Sequence, residues 1–473
     1  MFSENKRPGI IIVLIFLLWG SWVRAEDVIE LGLKESIEIA LEKNETILKE
    51  ARHSLESARL GLVSTHKGYK PRSSLDITAG RNGVGTSSSS SAIQNSYSGS
   101  LLFDWSMLTF TKGLFSVGSS YNLSPTHNAD DFANNLSIFC NLRQPLSSGG
   151  RLQQTAGVRN SEDRFKIAEM QYKDVLQNLI LEVIYGYYEI VRTELSVEEV
   201  KEELERTKKL IRWTETRLKT GQIARVEKMK VEVQQAYAED SLTQAIDVRR
   251  EARRSFLRLL GLNKEKEVVL KKTTEISPIG FSKDEGVKTA LENRLEIKMA
   301  EINLELVRLN ISMASSENKP VLNLKGSCDW NGIGESQETE RNWSVSGSVN
   351  LPFFDSGLTA VKVKEARLSY QRAKEEMKEL KEDIVEEVER VYEQIENDLK
   401  RIDSLSKNLK IAEDALRINQ KKYEMGMASV RDVLEAQRDL SGMKRAIQGA
   451  GISYVLDRAR LFKAIGKLED EYI

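Results

Sequence analysis

Between Pro145 and Pro278, and again from Pro352 to the last residue, the chain contains no proline. A proline inside a helix removes a hydrogen bond and clashes with the preceding turn, at a cost of about 3 kcal/mol. These two intervals are therefore where long unbroken helices are permitted. In the second, Met377, Leu380, Ile384, Val388, Val391, Ile395, Leu399, Ile402, Leu405, Leu409, Ala412 and Leu416 step by three or four. The mean step, near 3.55 residues, lies between a straight helix and a left-handed supercoil. Such a stripe marks helix packing, and its length is the real constraint. From Gly357 to Gly426, at about 1.5 Å per residue, the rod is roughly 100 Å long, more than an ordinary globule needs.

The segments flanked by proline follow another period. Trp343, Val345, Val349 and Leu351 alternate with Ser344, Ser346, Ser348 and Asn350. Leu322, Leu324, Cys328 and Trp330 alternate with Asn323, Lys325, Ser327 and Asp329, and Leu136–Leu142 and Ser74–Ala79 behave likewise. Alternation with an apolar and a small-polar face predicts strands of nine or ten residues. A soluble sandwich and a membrane barrel both fit that pattern. Aromatic ends such as Trp330 and Trp343 favour the barrel, and a barrel must close to leave no unpaired backbone in lipid. Two to four strands per half cannot close one, so the chain must oligomerise. Between Leu101 and Pro145 an additional strand pair is possible, which leaves 12 or about 18 strands open for a trimer.

The N-terminus supplies the compartment. Lys6 and Arg7 precede the apolar run Gly9–Trp19, and Val23-Arg24-Ala25 offers a cleavage site. This predicts a signal peptide over residues 1–25; the run is short for a spanning helix. With 70 basic and 71 acidic residues, no net field draws the chain to nucleic acid. Two cysteines and three histidines in no ligand spacing predict neither a disulfide framework nor a metal site. No phosphate-binding, hydrolase or dinucleotide motif is present, so the expectation is a non-enzyme without cofactor.

The two halves repeat. Ala40-Leu41 precedes Pro71 as Ala290-Leu291 precedes Pro320, and "QPLSSGG" (144–150) matches "LPFFDSG" (351–357). Gly150 to Gly221 spans 71 residues and Gly357 to Gly426 spans 69; Gly221 to Gly261 and Gly426 to Gly466 both span 40. The expected organisation is a first repeat over 26–262, a linker over 263–283, a second repeat over 284–468 and a short tail. Each repeat is a short helix, strands, a very long helix, a glycine turn and a returning helix. Gly221 and Gly426 thus become hairpin tips, where the backbone reverses. Glu227 and Asp432 fall in the first turns of the returning helices, where a carboxylate suits the helix dipole. Glu435, one turn further, needs another reason or is simply solvated.

Ala40-Leu41-x-x-Asn44, the proline before each first strand, "LPFFDSG", "YEMGMASVRDVLEAQ" (423–437) and "FKAIGKL" (462–468) together resemble the TolC-like outer membrane factor family, from about Leu31 to Leu468. The resemblance implies a mainly α fold with β: coiled-coil hairpins forming an α-barrel and strands pooled into a β-barrel, closed as a homotrimer. It implies an exit duct of a tripartite efflux pump or type I secretion system, in the outer membrane with a long periplasmic extension. The implied partners are a periplasmic adaptor (membrane fusion) protein, an inner-membrane RND or ABC pump and outer-membrane lipid. The resemblance makes Asp432 and Glu435 an acidic ring at the entrance, where crowding raises some carboxylate pKa values and favours cations. It makes Tyr423 and Glu227 members of a closing latch. The family's latch arginine is Ala428 here, which leaves Arg431 or Arg225 as substitutes. The alternative is a soluble periplasmic coiled-coil scaffold or chaperone.

Overall fold

The computed structural model describes residues 29–85, 93–109, 113–125, 132–263, 268–271, 277–333 and 339–473. The expected signal peptide lies outside the described residues. Two short helices, α1 (Leu33–Lys43) and α2 (Glu45–Lys67), lead into strands β2 (Arg72–Gly85), β3 (Ile93–Leu108), β4 (Leu114–Pro125) and β5 (Phe132–Pro145). Then come α3 (Ser148–Lys219) and the returning α4 (Arg225–Leu259). After the linker the pattern recurs with α5 (Lys283–Asn293), α6 (Leu295–Ser316), β7 (Val321–Ile333), β8 (Thr339–Asn350), α7 (Leu358–Glu424) and α8 (Val430–Ala464). Both returning helices are 35 residues long, and α3 and α7 have 72 and 67. The proline-free intervals are filled as their composition allows. A small parallel pair, β1 (Ile29–Leu31) with β6 (Val268–Leu270), ties the linker to the start of the first repeat. The last residues form a helix, α9 (Leu468–Tyr472), that buries Leu468 and Tyr472 rather than trailing as a tail.

The main core sits midway along the rods, where Ile37, Ala40, Leu257, Leu260, Ile297, Leu461 and Ile465 meet. A second core lies near the tips, around Leu210, Val231, Leu416, Tyr423, Val430 and Val433. Towards the tips the four rods pack in the order α4–α3–α8–α7, so α4 and α7 are the outer edges. Each edge carries an unpartnered apolar stripe. Val226, Met229, Val233 and Tyr237 are exposed on α4, as are Ile411, Ile418 and Met425 on α7; steps of three, four or seven put each set on one helix face. Among the described residues no helix is long and apolar enough to cross a membrane.

The strands form one antiparallel sheet in the order β2–β3–β4–β5–β7–β8. The open question about Leu101–Pro145 is answered by register: β3 and β4 are full members, giving six strands. Directly paired residues share a face, so the register sorts the sheet completely. One row reads Ser73, Trp105, Val117, Cys140, Cys328, Trp343; its neighbour reads Ser74, Asp104, Gly118, Phe139, Asp329, Asn342. The row beyond holds Leu75, Phe103, Ser119, Ile138, Trp330 and Arg341. One face is thus aliphatic and aromatic, and much of it is exposed: Leu75, Ile77, Phe103, Leu136, Trp330, Trp343 and Val345 are bare. The other is serine, asparagine and aspartate. Phe139 is an exception on the polar face, and it fills the space that a side chain on Gly118 would occupy. Edges β2 and β8 remain open, so one copy makes an arc of wall and no closed barrel.

Inside the long hairpin, Asp398 of α7 is buried beside Asp457 of α8, and its Oδ1 accepts from Gln394 Nε2 at 3.4 Å. Asp457 is held by Arg460 at 2.8 Å. Burial, then the neighbouring Asp457 carboxyl, pushes the Asp398 carboxyl above the usual range, and its Oδ2 has no partner among the described residues. A raised folded-state pKa favours folding below the unfolded value and loses that advantage as pH rises through the folded one. Asp398→Asn should therefore stabilise the fold at pH 7 by about 1 kcal/mol and flatten the change in stability between about pH 4 and pH 7. Thermal melts at the two pH values check this; an unchanged pH dependence would exclude Asp398 as its source.

Candidate functional site

The tips are built by the same local chemistry twice. At the end of α3, Gly221 takes φ +70, its N–H donates to Leu218 O, and Gln222 N–H donates to Arg217 O at 2.9 Å. At the end of α7, Gly426 takes φ +83, with Gly426 N–H to Tyr423 O at 3.0 Å and Met427 N–H to Lys422 O at 2.8 Å. These paired bonds satisfy the last carbonyls of a helix and require a left-handed residue, which glycine supplies without a Cβ clash. Both expected tip residues therefore end their helices, and the chain around them is bare: Met427 is 70 % exposed.

The copies diverge where the returning helices begin. Ser429 caps α8 in a reciprocal box: its N–H and hydroxyl both donate to Asp432 Oδ2 at 2.8 Å, and Asp432 N–H donates to Ser429 Oγ at 3.3 Å. The backbone N–H of Ser429, then its hydroxyl, holds the Asp432 carboxyl below the usual range. In one copy of the chain, then, Asp432 is a capping carboxylate whose pKa moves opposite to the rise expected from crowding. The equivalent start of α4 has Ala224, which cannot cap, and Glu227 turns to Lys230 at 2.7 Å instead. Glu435 stays exposed, one turn beyond Asp432 on the same face.

Tyr423 is 1 % exposed. Its hydroxyl lies 3.3 Å from Thr214 Oγ1 of the first hairpin. The Arg217 guanidinium, also from the first hairpin, sits 4.8 Å from the Tyr423 ring centroid and donates through Nη1 to Tyr423 O at 2.6 Å. Arg217 Nε further donates to Gln222 Oε1 at 3.2 Å. Within the protomer, Tyr423 thus meets Thr214 and Arg217, whereas Glu227 and Arg431 are not its partners. A cation over the C-terminus of α7 also suits that helix's dipole. Sequence reasoning missed Arg217. The available signal was asymmetry: four residues before the tip glycine the copies hold Arg217 and Lys422, and three before it Leu218 and Tyr423. Higher up, Arg206 pairs with Glu199 at 2.8 Å and Lys444 with Glu202 at 2.6 Å, and Arg206 also donates to Ser441 Oγ at 3.0 Å. The two hairpins are therefore braced at two levels.

This arrangement of rods, tips and two-faced sheet is not unique. The sequence matches the family model "Outer membrane efflux protein" over residues 114–262 and 286–467. It is 24 % identical over 366 residues to the outer membrane protein TolC of Vibrio cholerae, covering 75 % of this chain and 82 % of that protein. Among solved structures it is similar to CusC, with a TM-score of 0.71 and 15 % identity over 98 % of this chain and 99 % of that one. VceC of Vibrio cholerae matches with a TM-score of 0.68 and 18 % identity over 92 % of this chain and 96 % of that one. The family match covers well over half of the sequence, and the sheet's apolar face and the long helical extension fit a location in the outer membrane. The chain belongs to the outer membrane efflux protein family, and it is an outer-membrane exit duct, not an enzyme.

Proposed function

We propose that three copies close into one channel, with α4 of each protomer against α7 of the next and β2 against the next β8. The observation that carries this is the coincidence of bare edges. The apolar stripes on α4 and α7 lie at matching heights above the tips, and the sheet's two unpaired edges stand above them. Three sheets of six strands make an 18-stranded barrel, a size whose interior leaves an aqueous channel. Its apolar face then meets lipid and its serine- and aspartate-rich face meets water. Nearest the helices the inner face holds Arg72, Arg143 and Lys325, with Arg143 directly opposite Lys325.

At the other end, the tips at Gly221 and Gly426, with exposed Met427, form the surface for a periplasmic adaptor that couples the duct to an inner-membrane RND or ABC pump. Three copies of Asp432 and Glu435 form an acidic ring at the entrance, and Tyr423 takes part in holding it closed. Asp432 keeps its charge within its cap, which holds the carboxyl below the usual range, and Glu435 adds a second exposed acidic side chain to that ring.

Single-channel recording in planar bilayers tests this reading. Wild-type protein should insert as a trimer and prefer cations. Asp432→Asn with Glu435→Gln should reduce the cation-to-anion permeability ratio several-fold and weaken block by multivalent cations. These amides keep most of the capping geometry, worth about 1 kcal/mol, so an effect reports charge and not unfolding. Unaltered selectivity would remove the ring, and failure to form pores would remove the duct.

A further inference from the structure

The chain has two cysteines, and the fold sets them face to face. Cys140 on β5 is the register partner of Cys328 on β7. Both project from the sheet's apolar face, because residues paired directly across two strands share a face. Leu146 N–H donates to Leu322 O at 2.8 Å, and hydrogen-bonded pairs recur at every second residue of an antiparallel ladder. Cys140 and Cys328 are in phase with that pair, so their Cα atoms are about 5.5 Å apart. A disulfide accepts Cα separations of about 4.4–6.8 Å and needs Cβ atoms about 3.5–4.5 Å apart, so the bond draws these two side chains closer than the roughly 5.5 Å of an ideal hydrogen-bonded pair. In this structure both are free thiols.

Their place in the sheet is as telling as their spacing. Every other neighbouring pair, β2–β3, β3–β4, β4–β5 and β7–β8, is consecutive in the chain. Among the described strands of the large sheet, β5–β7 is the single seam between non-consecutive strands, and the chain passes through α3, α4, α5 and α6 to complete it. Closing a long loop costs more entropy than closing a hairpin, so this seam is the last within a protomer to form and the easiest to open. A covalent link stabilises most where the loop that it closes is long.

We infer that Cys140 and Cys328 form a disulfide that staples the two repeats together across the β5–β7 seam. The inference rests on export of the chain to a compartment where disulfides persist. The oxidant is a protein disulfide of an exported thiol oxidase. One cysteine thiol loses a proton, and its thiolate attacks one sulfur of the oxidant and displaces the other as thiolate. The second cysteine, deprotonated in turn, attacks the mixed disulfide. The chain gives up two electrons and two protons, and the oxidant leaves as a dithiol. The exchange needs a thiolate, which is disfavoured at a lipid-facing position, so it precedes insertion of the sheet into the membrane.

Acid-quenched cells, denatured and treated with N-ethylmaleimide, test the staple on the full-length chain recovered from outer membranes. Non-reducing digestion and mass spectrometry should yield the Cys140 and Cys328 peptides joined, two hydrogens lighter than their sum, with little alkylation at either. Reduction should release both and slow the denatured chain on a gel, because the closed loop is opened. The Cys140→Ser variant should run like the reduced form. Quantitative alkylation of both thiols in outer-membrane protein would overturn the staple while leaving the duct intact. A chain found only in the cytosol would overturn the location on which the inference rests.

Discussion

Val233→Glu on α4 or Ile411→Glu on α7 should leave the protein as monomers or ladders of partial assemblies, while each copy keeps its helical content. Both side chains are bare in one protomer, at 55 % and 67 % exposure, and sit on opposite edges of the helical layer. Burying an aliphatic side chain of this size contributes about 1.5–3 kcal/mol, and burying an unpaired carboxylate in its place costs several more. Threefold symmetry repeats the penalty at every interface. The trimer fraction at micromolar concentration should fall by at least tenfold, measured by native mass spectrometry or crosslinking in detergent. If both variants assemble normally, the stripes face another partner, and closure through these edges is wrong.

The second large effect concerns the clamp between hairpins. Arg217→Ala should make the entrance leaky, with a roughly tenfold rise in the open fraction of single channels and increased uptake of bulky solutes by cells. The substitution removes a charge-assisted hydrogen bond worth about 1.5–3 kcal/mol and a cation–π contact worth about 0.5–2 kcal/mol. A change of 1.4 kcal/mol in a closed-to-open equilibrium is already tenfold. Tyr423→Phe removes only the longer Thr214 contact, at 3.3 Å, and should give a smaller leak. Arg217→Lys keeps the charge but loses the planar group over the ring and should fall between the two. The contacts Arg206–Ser441 and Glu202–Lys444 would remain as the pivot above the loosened tips. Equal gating in all three variants would show that the clamp only stiffens one protomer and that the closed state is locked elsewhere.

Some of this was legible in the residues alone, because it is local. The proline gaps, a step near 3.55 and glycines at matching distances led to two rod hairpins, and alternation around Trp330 and Trp343 led to strands with an apolar face. Asp432 at the start of a returning helix was also visible, since it follows the tip glycine Gly426 by six residues, whereas its reciprocal bonds with Ser429 came from the structure. The strand count was not: β3 and β4 are rich in serine and glycine, and only their pairing with β2 and β5 establishes them as wall. The terminal helix was not legible for a similar reason, since α9 is five residues long and is held by the core, not by its own helical preference.

What the sequence determined by itself is therefore periodic: where the chain can be a rod, where it must turn and which face of each strand is apolar. The tertiary structure decided adjacency: Arg217 beneath Tyr423, Cys140 against Cys328, and α4 and α7 at the open edges. The reason is range. Helix caps, turns and side-chain alternation depend on neighbours a few residues away, whereas these contacts join positions about two hundred residues apart or follow from the packing order of four helices, which no local pattern records.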